Sequence, residues 1–143
     1  MTALTTGRMT AQATGSQREG AVAAGAKIFE GAILMRDAHG NLVQGQSGKG
    51  LIGVGRAGVR ADNTSGKAGD ARVSYHAGIF AYANATSSEA ITEADIGKIC
   101  YALDDQTVSK TDGGGARSPA GFVAFIDESG VWVHFDEMMA RLA

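Results

Sequence analysis

Apolar residues alternate with polar ones in short runs separated by turn residues, a pattern typical of β-strands. The clearest run is 131–135, where Trp132 and His134 fall on one face and three apolar side chains on the other. Residues 120–126 form the preceding run, and the polar turn 127–130 joins the two. The pattern predicts a β-hairpin near the end of the chain.

Similar runs recur about every ten residues through the rest of the sequence. Residues 33–36 and 41–44 flank the Gly-containing turn 37–40 and predict a second hairpin. Residues 71–76 and 79–82 are interpreted as another pair of strands. Further strands are expected at 51–54 and 99–103. Many short strands at this spacing favour a barrel or a sandwich.

Helical signals are few. Thr92 can cap the first turn of a helix and acidic residues follow it, but Gly97 ends the segment after about one turn. The tail 136–142 begins with two acids and has Arg141 near its end, as in a short terminal helix. The predicted fold is therefore mainly β, a small compact barrel- or sandwich-like domain with one or two short helical turns.

The first twenty residues differ from all that follow. They hold five Thr and three Gly, few large apolar side chains and no sustained periodicity. Such a segment buries too little apolar surface to offset the entropy of ordering it. We therefore expect a flexible, extended N-terminal arm over 1–20, followed by one β-rich domain over 21–143.

The length and net charge of the chain limit the classes of protein to which it can belong. The chain has 143 residues, enough for one ordinary domain, with 13 basic and 15 acidic side chains and a formal net charge of −2. A protein that binds nucleic acid through bulk charge is excluded, because phosphate binding rests on clustered Lys and Arg. No run approaches the roughly 18 apolar residues of a membrane span, so no membrane partner is expected. The start of the sequence also lacks the basic head and apolar run of a secretory signal.

Residues 53–58 match the dinucleotide-binding pattern G-x-G-x-x-G. In that motif the last Gly opens a helix whose N-terminus holds the pyrophosphate. Residues 59–66 have no helical period. The segment is therefore predicted to be a Gly-rich strand with a bulge, and no cofactor is expected.

Candidate catalytic and metal-binding side chains are isolated along the chain. His39, His76 and His134 lack the close spacing of metal ligands, and the paired carboxylates fall at strand ends or turns, where Asp is favoured for backbone reasons. Cys100 lies in a strand that is expected to be buried. The sequence thus predicts no enzyme and no metal site. An open alternative is a small β-barrel enzyme or ligand-binding module with a cleft near Cys100 and His134.

Two segments of the C-terminal half resemble bacteriophage and prophage capsid decoration (cement) proteins. The first combines Ile91–Tyr101 with Asp104–Val108 and is similar to the family's "it-x-x-D-i-G-k" turn and "vy-x-x-DDqTVs" strand pair. The second runs from Ala120 to the closing strand Gly130–Val133. Weaker similarity at 27–32, 53–55 and 68–80 extends the resemblance over roughly residues 22–135.

The resemblance implies a structural virion protein without enzymatic activity. Such a protein is made in the cytoplasm of a bacterial host and sits on the outer surface of an assembled head. There it binds the major capsid protein and locks neighbouring subunits, usually as an oligomer, with a trimer expected and a dimer as the alternative. A tail tube or fibre module is a further alternative.

Contact residues are expected in the arm and on the last strand. An arm that is disordered alone can order on a capsid subunit by adding a strand to an exposed edge. The candidate contact residues are Thr5, Arg8, Met9, Gln12, Arg18 and Trp132. For Trp132 two roles are open, filling the core or anchoring an interface, and core placement is favoured.

Overall fold

A computed structural model describes residues 2–143, and Met1 of the predicted arm lies outside the described residues. The described chain is mainly β, as the spacing of its apolar runs predicts. Its strands are β1 Gln17–Ala21, β2 Lys27–Ile28, β3 Ile33–Arg36, β4 Leu42–Gln44, β5 Ile52–Ala57, β6 Ala61–Asp62, β7 Arg72–His76, β8 Ile79–Asn84, β9 Ile99–Ala102, β10 Thr107–Ser109, β11 Pro119–Asp127 and β12 Gly130–His134.

Helical structure is confined to short segments. Single 3₁₀ turns cover Ser87–Glu89 and Glu93–Asp95, and the α-helix α1 covers Glu137–Leu142. The cap predicted at Thr92 is confirmed, because the Thr92 backbone N–H donates to the Asp95 carboxylate at 2.8 Å in a capping box. The predicted terminal helix is also confirmed.

The first half of the fold is a five-stranded antiparallel sheet with the order β1-β7-β5-β3-β4, accompanied by the small pair β2–β6. We call this part the sheet half. The predicted hairpin at its edge is confirmed, with Met35 of β3 opposite Val43 of β4. The strands predicted at 71–76 and 79–82 exist but do not pair with each other. Instead β7 pairs with β1 and β5, and the chain then crosses into the second half.

The second half is a closed barrel with the order β10-β8-β12-β11-β9, and we call it the barrel half. The pair β8–β10 is parallel and the other pairs are antiparallel. The predicted hairpin β11–β12 is confirmed, with a register shift between Val123 and Phe125. Closure leaves these strands without a free edge.

The boundary predicted for the arm is wrong by four residues. Gln17–Gly20 do not belong to a free arm, because they form most of β1 and pair with β7, where Gly20 lies opposite Val73. A Cβ at Gly20 would lie 2.7 Å from the Leu42 Cδ1, so glycine lets the strand approach its neighbour. The first three residues of β1 are polar and exposed, so the strand has no apolar alternation to detect. Residues 2–15 lie outside strands and are exposed throughout.

Each half has its own apolar core, and β3 contributes to both. Leu34 packs into the sheet core, whereas Ile33 and Met35 pack into the barrel core. The sheet core consists of Val22, Ala26, Ile28, Leu34, Leu42, Val54, Ala57, Ala61, Val73 and Tyr75. The barrel core consists of Ile33, Met35, Tyr82, Ile91, Cys100, Ala102, Val108, Ala120, Val123, Val131, Val133 and Phe135.

Candidate functional site

Trp132 lies on the outside of the barrel, so its predicted placement in the core is wrong. The alternation along β12 is as expected, but Val131, Val133 and Phe135 are the inward residues and are at most 2% exposed. The indole of Trp132 stacks on the ring of Phe125, with 5.1 Å between ring centroids and 17° between ring planes. The opposite face of β12 carries the three apolar side chains that fill the barrel core, and this leaves the indole on the outside.

The turn between β11 and β12 holds the indole in place. The Trp132 Nε1–H donates to Asp127 Oδ1 at 2.8 Å, and the same oxygen accepts from the Ser129 backbone N–H at 2.8 Å. One carboxylate oxygen therefore fixes both the turn and the aromatic ring. This arrangement presents a rigid aromatic pair, which loses little conformational entropy on binding a partner.

Further apolar side chains surround this pair across three adjacent strands. Ala81 of β8 lies opposite Trp132, while Ile79 of β8 and Phe122 of β11 lie opposite His134. Ile79 is 45% exposed and Phe125 is 44% exposed. We call the surface formed by Ile79, Ala81, Phe122, Phe125 and Trp132 the outer barrel surface. The other three members of this surface, Ala81, Phe122 and Trp132, are half-buried.

The sequence did not indicate Phe125 or Ile79 as part of this surface. The bulge after Val123 shifts the side-chain alternation of β11, which brings Phe125 to the same face as Trp132. Ile79 joins them because β8 pairs with β12, a strand about fifty residues later. Neither pairing nor bulge leaves a local signal in the sequence.

Cys100 and His134 do not form a common cleft. Cys100 is fully buried in the barrel core, and this burial raises the pKa of its thiol to about 12. His134 is exposed on the outside of the same barrel. The two side chains lie on opposite sides of the barrel wall, and the alternative based on a thiol–imidazole pair loses its geometric basis.

The Gly-rich segment 53–58 is the bulged strand that the sequence predicts. Residues 52–57 form β5, and β3 shifts register against it between Leu34 and Met35. A Cβ at Gly53 would overlap the Ala120 carbonyl oxygen, and one at Gly55 would overlap the His76 carbonyl oxygen. These glycines therefore allow close approach of backbones within the fold rather than the approach of a phosphate.

The structure gives the other candidate metal ligands no common site, and a carboxylate among them stabilises a turn instead. Within residues 2–143, no group of three or more His, Cys, Asp or Glu side chains could hold a metal ion. Asp104 Oδ1 accepts from the Gln106 backbone N–H at 2.9 Å, the turn role predicted for the paired carboxylates.

None of the helices in the described part of the chain is both long and apolar enough to cross a membrane.

The predicted contact residues occupy two separate parts of the fold. Thr5, Arg8, Met9 and Gln12 lie in the exposed segment 2–15, where Met9 is fully exposed. Arg18 lies on β1, where its guanidinium donates to the Gln17 carbonyl oxygen at 2.7 Å. Trp132 belongs to the outer barrel surface. The arm residues as capsid contacts stay a prediction.

A groove lies where the two halves meet, and no pattern in the sequence indicates it. An open groove of about 600 Å³ separates the loop 29–32 from β8. Its floor includes Tyr82, whose hydroxyl donates to the Gly31 carbonyl oxygen at 2.8 Å. Glu30 and Asp105 place carboxylates along it. Glu30 and Asp105 lie 75 residues apart in the sequence, so their spacing does not indicate the groove.

Comparison of the chain with models of protein families, with curated proteins and with solved structures finds no match.

Proposed function

We propose that this chain is a structural virion protein that binds the outer surface of an assembled phage head and stabilises contacts between major capsid subunits. The proposal rests first on the resemblance of residues 91–133 to capsid decoration proteins. In the structure these residues supply β9 to β12, so the resemblance covers most of one closed barrel. The segment therefore supplies four of the five barrel strands, and β8 lies outside it.

The observation that carries the proposal is the stacked pair Phe125–Trp132. Folding of the barrel needs the inward residues of β11 and β12, and it gains little from aromatic rings on the outside. Exposed apolar area costs about 25 cal/mol per Å² relative to burial, so an aromatic surface favours a partner that covers it. Trp residues at the centre of interfaces commonly contribute most of the binding free energy.

The mechanism needs no chemistry beyond binding. A protein that binds the assembled head more tightly than its separate subunits stabilises the assembled state by mass action. Each copy adds a modest free energy, and the sum over many copies raises the resistance of the shell to expansion and heat. The formal net charge of −2 suits the outer face of a head rather than contact with packaged DNA.

The location of the protein on particles is the first test. Particles from the native source are separated on a density gradient and each fraction is probed for this chain. We expect co-migration with full heads, including tailless ones, in near-stoichiometric ratio to the major capsid protein. Presence with tailed particles alone, at low copy, would favour a tail tube or fibre module, and recovery only at the top of the gradient would overturn a virion role.

The binding surface is tested with Trp132→Ala and a matched control, Val59→Ala. Val59 is 46% exposed and lies between β5 and β6, so its truncation removes an exposed apolar side chain outside the barrel. We expect Trp132→Ala to weaken binding to undecorated heads by roughly 30-fold, as for an interface residue worth about 2 kcal/mol. Val59→Ala should bind as the unchanged protein does.

Thermal unfolding shows whether a loss of head binding comes from the missing side chain or from an unfolded protein. Loss of the stacked pair should lower the stability of Trp132→Ala by about 1 kcal/mol, which leaves the domain folded. A folded Trp132→Ala protein that decorates heads with unchanged affinity would refute the outer barrel surface as the head contact.

A further inference from the structure

The two halves of the fold differ in the sign of their charge. Residues 2–76, which hold the arm and the sheet half, carry nine basic and five acidic side chains. Residues 77–143, which hold the barrel half and α1, carry four basic and ten acidic side chains. The formal net charge of −2 is therefore the sum of a positive part and a more strongly negative part of one molecule.

The four basic side chains of the barrel half all lie beside acidic ones. Two form ion pairs, and the other two lie close to Asp95. The hydrogen bond from the Thr92 backbone N–H lowers the pKa of Asp95 most, and the charges of the two lysines lower it further. The neighbours are Arg117 with Glu89 at 3.3 Å, Arg141 with Glu137 at 2.8 Å, and Lys110 and Lys98 with Asp95.

Two acidic side chains without such a partner lie in the turn that holds Trp132. Within residues 2–143, neither Asp127 nor Glu128 takes part in an ion pair. Asp127 Oδ1 accepts from the Trp132 indole and from the Ser129 backbone, whereas its Oδ2 accepts no hydrogen bond from the described residues. Glu128 is exposed. The turn therefore places two negative charges and a free acceptor oxygen at the edge of the outer barrel surface.

The strands that form the outer barrel surface add no positive charge to it. Neither Lys nor Arg occurs in β8, β11 or β12, and His134 of β12 is neutral at pH 7 in the formal charge count. Aromatic and aliphatic side chains occupy the middle of this surface, and the two carboxylates lie at its edge. Protein–protein contacts commonly have this arrangement of an apolar centre and a polar rim.

We propose that the outer barrel surface contacts a basic region of the major capsid protein, with Lys or Arg side chains opposite Asp127 and Glu128. The inference rests on the proposed function and names the chemistry of the partner surface. A cation opposite Asp127 can bind Oδ2 in a charge-assisted hydrogen bond while Oδ1 still holds the indole. Opposite charges also speed the encounter of the two proteins. The excess of basic side chains in the sheet half repels the same region, which favours binding through the barrel.

Salt dependence and a charge reversal test the inference. Binding of the unchanged chain, Glu128→Lys and Glu93→Lys to undecorated heads is followed over time at several salt concentrations. Between about 20 mM and about 500 mM salt, the reach of surface charges shortens from about 20 Å to about 4 Å. We expect the association rate constant of the unchanged chain to fall about 10-fold over this range, because rim charges act mainly on association.

Glu128→Lys should associate about 5-fold more slowly than the unchanged chain at the lowest salt concentration and at nearly the same rate at the highest. Glu93→Lys is the matched control. Glu93 is exposed, takes part in no ion pair within residues 2–143 and lies in the 3₁₀ turn Glu93–Asp95, outside β8, β11 and β12. It should associate within about twofold of the unchanged rate. Melting temperatures of both variants should equal that of the unchanged chain.

Three results would overturn the inference. The first is an association rate that stays constant or rises with salt, and the second is a Glu128→Lys protein that associates like the unchanged chain at low salt. The third is an equal loss in Glu93→Lys, which would assign the effect to net charge rather than to the turn. Absence of binding at every salt concentration would refute the proposed function itself, whereas binding that is independent of salt would refute the basic partner surface alone.

Discussion

The sheet half and the barrel half solve the same problem, the protection of strand edges, in different ways. The barrel closes on itself within residues 79–134. The sheet stays open, with β1 at one edge, and is partly sealed where Val22 bridges to Leu42 of the other edge strand, β4. The closed half carries the aromatic outer barrel surface, whereas the open half carries the arm. The outer barrel surface and the arm, the two candidate contact regions, therefore belong to different parts of the molecule.

The two halves nevertheless share structure, and four links connect them. The strand β3 contributes side chains to both cores. The Ile33 backbone N–H donates to the Asp105 carbonyl oxygen at 2.8 Å, and Gly53 of β5 lies against Ala120 of β11. After the barrel, α1 returns to the sheet through Glu137. We therefore expect one cooperative unfolding transition rather than two.

The largest expected effect is at Gly53, where the backbone of β5 lies against that of β11. A Cβ there would overlap the carbonyl oxygen of Ala120, and backbone cannot move aside as a flexible side chain can. We expect Gly53→Ala to destabilise the protein by about 3–5 kcal/mol, measured by denaturant unfolding. Gly48→Ala is the control, because its Cβ would meet the Leu51 Cδ1 at 3.4 Å, an ordinary contact. Equal stability of the two variants would show that the halves are not packed as described.

The next largest effect tests whether the two cores unfold together or independently. Leu34 and Met35 are both fully buried, one in each core. Truncation of either to Ala should cost about 2–5 kcal/mol. Because β3 joins the cores, hydrogen exchange should show lost protection in both halves for each variant.

Met35→Leu, which nearly conserves volume, serves as the control and should cost less than about 1.5 kcal/mol. Loss of protection confined to the sheet half in Leu34→Ala, and to the barrel half in Met35→Ala, would mean that the halves unfold separately.

Local sequence patterns predicted the strands whose hydrogen-bond partners are near in the sequence. The hairpins at 33–44 and 120–135 and the cap at Thr92 follow from alternation and turn chemistry. Alternation alone does not indicate β1, β2, β6 and β10, because strands of two or three residues are too short for a period and β1 is largely exposed. Only the resemblance to decoration proteins indicated strands at 27–32 and at the end of 104–108. Their hydrogen-bond partners come from distant segments.

The candidate site was less predictable than the fold. Alternation assigns Trp132 and Val133 to opposite faces, but it does not say which face points inward. That choice depends on which face of β12 is turned towards the core when the strand pairs with β8 and β11. The groove depends on the approach of Glu30 and Asp105 from different halves. Both features are consequences of tertiary structure.

The smallest expected effect is at the link between α1 and the sheet. Arg36 Nε donates to Glu137 Oε2 at 2.8 Å, and Arg141 donates to the same oxygen at 2.8 Å. Partial burial raises the pKa of Glu137, but these hydrogen bonds lower it more, so the pKa lies below its usual 4.5. The carboxylate therefore contributes stability that is fully present above about pH 4.5 and is lost as the pH falls through the lower, folded-state pKa.

We expect Glu137→Gln to remove this pH dependence and to lower stability at pH 7 by about 1 kcal/mol, the upper range for ion pairs in contact with solvent. Unfolding midpoints of the unchanged chain and the variant, measured from pH 7 to pH 3, should converge at the acid end. Glu128 is exposed and takes part in none of the ion pairs within residues 2–143, so Glu128→Gln should follow the unchanged chain throughout. If the midpoints of Glu137→Gln run parallel to those of the unchanged chain, the ion pair does not hold α1 to the sheet, and the helix is positioned by the packing of Ala140 alone.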